Sequence, residues 1–167
     1  DEESVTEYAT NKLAIIVPAD NPASITGLAD LAKPGVRIVS ETAEVTVRKY
    51  TEQMLNKTLE SEDYGQEFVD AFRANVISEE TNVASATAKV ALGEADAGIT
   101  YYSDVTKDLA DKITIIEIPD EFNIVATYVA GILTESTNKE LAQEYINLLT
   151  SEEGKAVLEE YNFAPAN

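Results

Sequence analysis

Two hydrophobic periods divide the chain: short continuous apolar runs, and stretches in which apolar residues recur three or four positions apart. Leu13-Ala14-Ile15-Ile16-Val17, closed by Pro18, is a run of the first kind and predicts a buried strand. Asp20-Asn21-Pro22 is turn chemistry. Ile25 to Ala32 predicts a short helical or turn segment, closed by Lys33-Pro34-Gly35, and Val36-Arg37-Ile38-Val39 the next strand. Ser40-Glu41-Thr42 offers capping residues for a helix from about Val45 to Asn56. Tyr64 to Arg73 carries Phe68, Val69 and Phe72 on one face and predicts a second helix, followed by a strand over Asn75-Val76-Ile77-Ser78. Glu79-Glu80-Thr81-Asn82 is a helix-start signal. Val83, Ala86 and Val90 then fall at i, i+3 and i+7, the spacing of one helix face, until Gly93 stops it.

Ala97-Gly98-Ile99-Thr100-Tyr101 predicts a further strand, with Ser103-Asp104 capping a short helix after it. Ile113 to Ile118 and Ile124 to Leu133 predict two more strands, split by Pro119-Asp120. Helices over Asn138 to Leu149, with Leu141, Tyr145 and Leu148 in register, and over Glu152 to Tyr161 close the chain. Asp1 to Thr10 is polar and acidic, the composition of a frayed lead-in. Strands alternating with helices define an α/β fold with mostly parallel pairing, and the strand at Ile99 is expected at its centre.

Composition narrows the chemistry. The 167 residues are 44% hydrophobic, enough for a core, and contain no apolar run of the ~20 residues that a membrane helix needs. No charged-then-apolar leader opens the chain, so Asp1 is expected not to be a natural start. Net charge is −19, from 31 acidic and 12 basic residues, the wrong sign for nucleic acid or an anionic membrane surface. The carboxylates are dispersed, as in Glu41, Glu44 and Glu52 or Glu140 and Glu144, which is the pattern of solvated helix faces. The absence of Cys and His removes disulfides, thiolate nucleophiles, the common zinc sites and His-based triads. Asp96 and Asp104 are the one acid/base pair worth naming, and they flank a strand with no stated geometry. No enzyme, cofactor or free metal cation is expected.

From Asn11 to Phe163 the order of segments resembles the molybdate-binding proteins of ABC importers, a type II periplasmic binding fold. Asn11 to Pro18 is similar to that family's crossover strand. Leu28-Ala29-Asp30-Leu31 with Pro34-Gly35-Val36 is similar to the start of its second lobe. Gly93-Glu94-Ala95-Asp96-Ala97-Gly98-Ile99-Thr100-Tyr101, then Ser103-Asp104, is the most specific piece. Ser151-Glu152-Glu153-Gly154 and Tyr161-Asn162-Phe163 resemble the closing helix. Family members begin with a strand and a Ser-containing loop that build half of lobe one, and nothing here corresponds to them. The resemblance therefore implies a lead-in over residues 1–11, a complete second lobe over 12–122, and the returning strand and C-terminal helices of the first lobe over 123–167. It also implies an extracytoplasmic location, periplasmic or anchored at the cell surface, and an ABC importer membrane permease as partner for molybdate or tungstate uptake.

The same resemblance implies three contacts to the oxyanion. The first is a backbone N–H in a Val-Pro-Ala-Gly stretch opening a helix, which falls on Val45-Thr46-Val47-Arg48. Pro, Ala and Gly are replaced, but a backbone N–H survives any substitution except Pro, so Val47 still donates; Thr46 adds a hydroxyl and Arg48 a charge. The second, a backbone N–H at the next helix start, falls on Asn82-Val83. The third is the hydroxyl of a strand-end Tyr, Tyr101, whose neighbour Tyr102 faces the opposite side. Each has a plainer reading: an ordinary helix N-terminus, an N-cap Asn, a core Tyr with a satisfied hydroxyl. Some archaeal relatives add carboxylates to the metal centre; the nearest matching places here are Val45 and Asn82, with Glu44, Glu79 and Glu80 close in sequence. An acidic protein can hold an anion this way, because surface charges beyond ~8–10 Å are screened while helix N-termini present amide dipoles at contact. Sulfate, phosphate or a small organic anion are rival ligands, and a ligand-sensing domain of a cytoplasmic regulator is a rival role.

Overall fold

The computed structural model describes residues 4–166, and the lead-in at residues 1–3 lies outside them. The chain divides into two compact units, Lys12–Ile124 and the remainder, Asp1–Asn11 with Val125–Asn167.

Within Lys12–Ile124, five strands form a sheet in the order β3-β2-β4-β1-β5. They are β1 (Thr6–Pro18, here from Lys12), β2 (Ile38–Glu41), β3 (Val76–Glu80), β4 (Ala97–Tyr101) and β5 (Ile113–Glu117). β2 pairs in parallel with β3 on one side and β4 on the other. β1 runs against both neighbours, with Ile15 opposite Ile99 of β4 and Ile116 of β5. Four strands thus share a direction and β1 opposes them, so the pairing is mixed rather than mostly parallel. The strand of Ile99 is central, as expected. The apolar run Leu13–Val17 is buried on both faces, which is why it shows no alternation.

Three helices cover this sheet: α1 (Thr46–Leu59), α2 (Gly65–Ala74) and α3 (Val83–Ala91). On one face Ile38 of β2 and Ile99 of β4 meet Val47, Met54 and Leu55 of α1 and Phe68, Val69 and Phe72 of α2. On the other, Val39 of β2 and Ile16 of β1 meet Ala86 and Val90 of α3. Ala86 and Val90 are buried as the stripe predicts, while Val83 is only half-buried because it opens the helix. Each fully buried Val or Leu of these clusters contributes ~1.5–3 kcal/mol. Gly98 permits the close seat of α3: a Cβ there would lie 3.3–3.4 Å from Val39 and Val90 atoms. Gly93 follows α3 with φ of 71°, the left-handed turn that stops it.

The remaining unit holds β6 (Val125–Ala130), β7 (Ala164–Pro165), α4 (Lys139–Thr150) and α5 (Glu152–Glu160). The first part of β1 pairs with β6 and antiparallel with β7, Ala9 opposite Pro165. Thr6–Thr10, expected as a frayed lead-in, is therefore strand, with Ala9 fully buried. Ser151 caps α5 through the Gly154 amide at 3.1 Å.

Local boundaries move in three further places. Glu79 and Glu80, expected at a helix start, end β3. The segment Ile25 to Ala32 contracts to a 3-10 turn over Leu28–Ala32. Ser40 and Glu41, expected as helix caps, belong to β2, and Val45 caps α1 instead.

Candidate functional site

Three strands of common direction end at one edge of the sheet, and each predicted site residue follows one of those ends. β2 ends at Glu41; a turn closed by the Val45 amide on Thr42 O (3.0 Å) leads into α1, whose first residues are exposed Thr46 and buried Val47. β3 ends at Glu80, Asn82 caps α3, and Val83 is its first residue. β4 ends at Tyr101. From β2 the chain reaches β3 through α1 and α2 on one face, then returns through α3 on the other face to β4, beyond β2. In open α/β sheets ligands bind at the carboxyl edge where successive connections diverge in this way.

The two helix starts differ. Val45 is extended and no side chain caps α1, so its first-turn amides are not claimed by a local side chain. Asn82 is an N-cap in the ordinary sense: its Oδ1 accepts from the Ser85 amide at 2.9 Å. The Val83 and Ala84 amides precede that bond in the turn. Arg48 is committed elsewhere. It donates to Glu52 (3.0 Å), Ser40 (3.1 Å), Glu79 (2.7 Å) and the Glu41 carbonyl, clamping α1 onto the ends of β2 and β3.

Tyr101 and Tyr102 part company. The Tyr101 ring meets Tyr50 of α1 edge-on, centroids 6.2 Å apart, and its amide donates to Asp104 at 3.0 Å. Burial, then the carboxylates of Glu117 and Asp120, push the Tyr102 hydroxyl above its ordinary range. Tyr102 therefore faces negative charge, a poor setting for an anion, whereas Tyr101 lies on the side of α1.

The carboxylates named from the sequence are structural. Asp96 accepts from Arg37 Nη2 (2.7 Å), Nε (3.2 Å) and amide (2.8 Å), and the Arg37 hydrogen bonds hold its carboxyl below the usual range. Asp104 accepts from the Thr100 hydroxyl at 2.6 Å. Neither is placed as an acid/base pair. Glu80 is paired with Lys89 of α3, and Glu79 with Arg48. Among the described residues no group of three or more acidic side chains could hold a metal ion.

Glu41 is the residue that sequence reasoning missed. Counted there among solvated surface charges, it is 1% exposed, and neither carboxylate oxygen has a hydrogen-bond partner. Burial first, then Asp104, push its carboxyl up to about 7, against the opposing pull of its own amide and Arg48. The available signal was parity: Glu41 stands two residues after Val39, so it shares the face of an apolar strand residue.

The starts of α1 and α3 and the ring of Tyr101 thus follow the carboxyl ends of three strands of common direction. The family described as bacterial extracellular solute-binding protein matches residues 1–164, and the chain belongs to it. That family consists of binding proteins, not enzymes. The molybdate-binding protein ModA of Mycobacterium tuberculosis is 30% identical over 159 residues, 95% of this chain and 56% of its own length. The chain thus spans little more than half the length of that relative. The substrate-binding domain of a putative molybdenum ABC transporter from Clostridium difficile superposes with a TM-score of 0.81 at 26% identity, covering 99% of this chain and 68% of that one. PEB3 with bound L-phospholactate superposes with a TM-score of 0.78 at 25% identity, covering 98% and 69%.

Proposed function

We propose that this chain carries the anion-holding lobe of an extracytoplasmic receptor that captures molybdate or tungstate for the membrane permease of an ABC importer. The observation that supports this reading most is the convergence of the α1 start, the α3 start and Tyr101 at one sheet edge. The Val47 and Val83 amides and the Tyr101 hydroxyl are the donors in this reading, with Thr46 and Asn82 beside them. Backbone amides at helix starts suit a compact oxyanion, because they supply donors of fixed direction and partial positive charge without a titrating cation. A donor-only site discriminates by geometry, since an anion of the wrong size leaves some donors unpaired. The mycobacterial molybdate-binding relative adds support for the ligand.

Tyr101→Phe is the sharpest test. It removes one donor while keeping the ring against Tyr50. In calorimetric titrations of the receptor with molybdate, tungstate, sulfate and phosphate, affinity for the preferred ion is expected to fall by ~1–3 kcal/mol, five- to hundredfold. Stability without ligand is expected to fall by no more than ~1 kcal/mol, the worth of the local bond that the Tyr101 side chain makes at the turn to Asp104. A stability loss with unchanged affinity would assign Tyr101 to the core alone.

A phosphorylated organic acid is the second reading, favoured by the phospholactate bound in the PEB3 structure. It predicts that such acids outcompete molybdate in the same titrations.

A further inference from the structure

Glu41 ends β2 four residues before the α1 cap, on the face that carries α3. Its neighbour in register on β3 is Glu80, which is tied to Lys89 of α3. From the turn after β4, Asp104 repels it, and Asp104 is itself held by the Thr100 hydroxyl and the Tyr101 amide. From α1, Arg48 attracts it, but the Arg48 nitrogens are bonded to Ser40, Glu52, Glu79 and the Glu41 carbonyl, not to this carboxylate. A carboxyl sealed from water with both oxygens unpartnered is a costly group to keep unless its charge state does something. It lies at the edge where two helix N-termini attract an anion, and an ionised carboxylate there opposes that attraction through a medium of low dielectric.

Resting on the anion-site reading above, we propose that Glu41 is the proton-linked member of the site: an oxyanion docked on the α1 and α3 N-termini is bound together with one proton on the Glu41 carboxyl. The anion's charge makes ionisation of Glu41 harder, so docking draws the proton on. Affinity for an ion that does not itself titrate, such as molybdate, is flat below about 7, where the free carboxyl is already protonated. Above that it falls by up to tenfold per pH unit, the limit for one linked proton. The device also sets ligand class: a dianion brings its full charge beside Glu41 and is tuned by pH, whereas a neutral solute is not.

The experiment is a carbon-13 NMR titration of the Glu41 side-chain carboxyl in the 167-residue chain, with and without millimolar sodium molybdate, while following the Val47 and Val83 amides. The carboxyl is expected to titrate near 7 in the free chain and higher with molybdate present. In Glu41→Gln, the molybdate-induced amide shifts lose their pH dependence; should that variant not fold, the carbon titration of the unaltered chain decides alone. Titration in the ordinary carboxylate range, or a carboxyl indifferent to molybdate while both amides respond, overturns the proposal and leaves the anion site standing. Amides that ignore molybdate, sulfate and phosphate alike would sink the anion site, and the proton linkage with it.

Discussion

At pH 4 the Glu41 carboxyl is neutral and cheap to bury; at pH 8 it is an ion with no hydrogen-bond partner. Its folded value, about 7, stands above the 4.5 of the free side chain. Stability held through the protonated form is therefore complete below 4.5 and is lost as pH rises to about 7, a difference of about 3 kcal/mol. Asp30, drawn down to about 2 by its bond to Lys33, acts the opposite way and in a separate window, losing its contribution only in stronger acid. Urea melts between pH 4.5 and 7.5 should show the unaltered chain losing ~3 kcal/mol relative to Glu41→Gln. Parallel profiles would mean that water reaches the carboxyl. A charge symbol in a sequence carries no burial, and for that reason Glu41 passed for a surface residue, while the place of Tyr101 at a strand end was legible.

Among elements, α3 offers the cleanest probe of a main-chain donor. Val83 is its first residue and Asn82 before it is extended (φ −157°, ψ 157°), the conformation that a following proline demands. Val83→Pro deletes one amide hydrogen at the position where proline best suits a helix start. Stability should change by less than ~1 kcal/mol, with anion affinity falling by ~1.5–3 kcal/mol, tenfold or more. Equal affinity in both proteins would remove the Val83 amide from the donor set. Helices were readable because their apolar spacing is local. The first part of β1 was not: Thr6–Thr10 is polar except for buried Ala9, and its strand character comes from β6 and β7, which lie more than 100 residues away. Likewise Glu79 and Glu80 resemble helix-starting acids, but pairing with Ser40 and Glu41 keeps them in the sheet.

For the molecule as a whole, the periodic residues of α4 went outward: Leu141, Tyr145 and Leu148 are 66%, 61% and 50% exposed, and Val157 and Tyr161 at α5 stand open too. Contiguous apolar surface of this kind promotes association. Sedimentation of the 167-residue chain should show concentration-dependent self-association that the double change Leu141→Glu, Leu148→Glu abolishes. Those substitutions should leave stability within ~0.5 kcal/mol, since neither side chain is in the core. An unaltered chain that stays monomeric at high concentration would show the stripe to be inert. The sheet has a consequence of another kind, one of timing. Leu13–Val17 is made first, yet its partners in this sheet are Gly98–Tyr101 and Thr114–Glu117, so its hydrogen bonds close loops of some eighty to a hundred residues. During synthesis the most apolar strand waits for its neighbours in this sheet while about half of these 167 residues follow it, and contacts of such separation form slowly. Closure of this sheet is therefore a late event, and β1 stays without its neighbours in the sheet while some eighty residues are added after it.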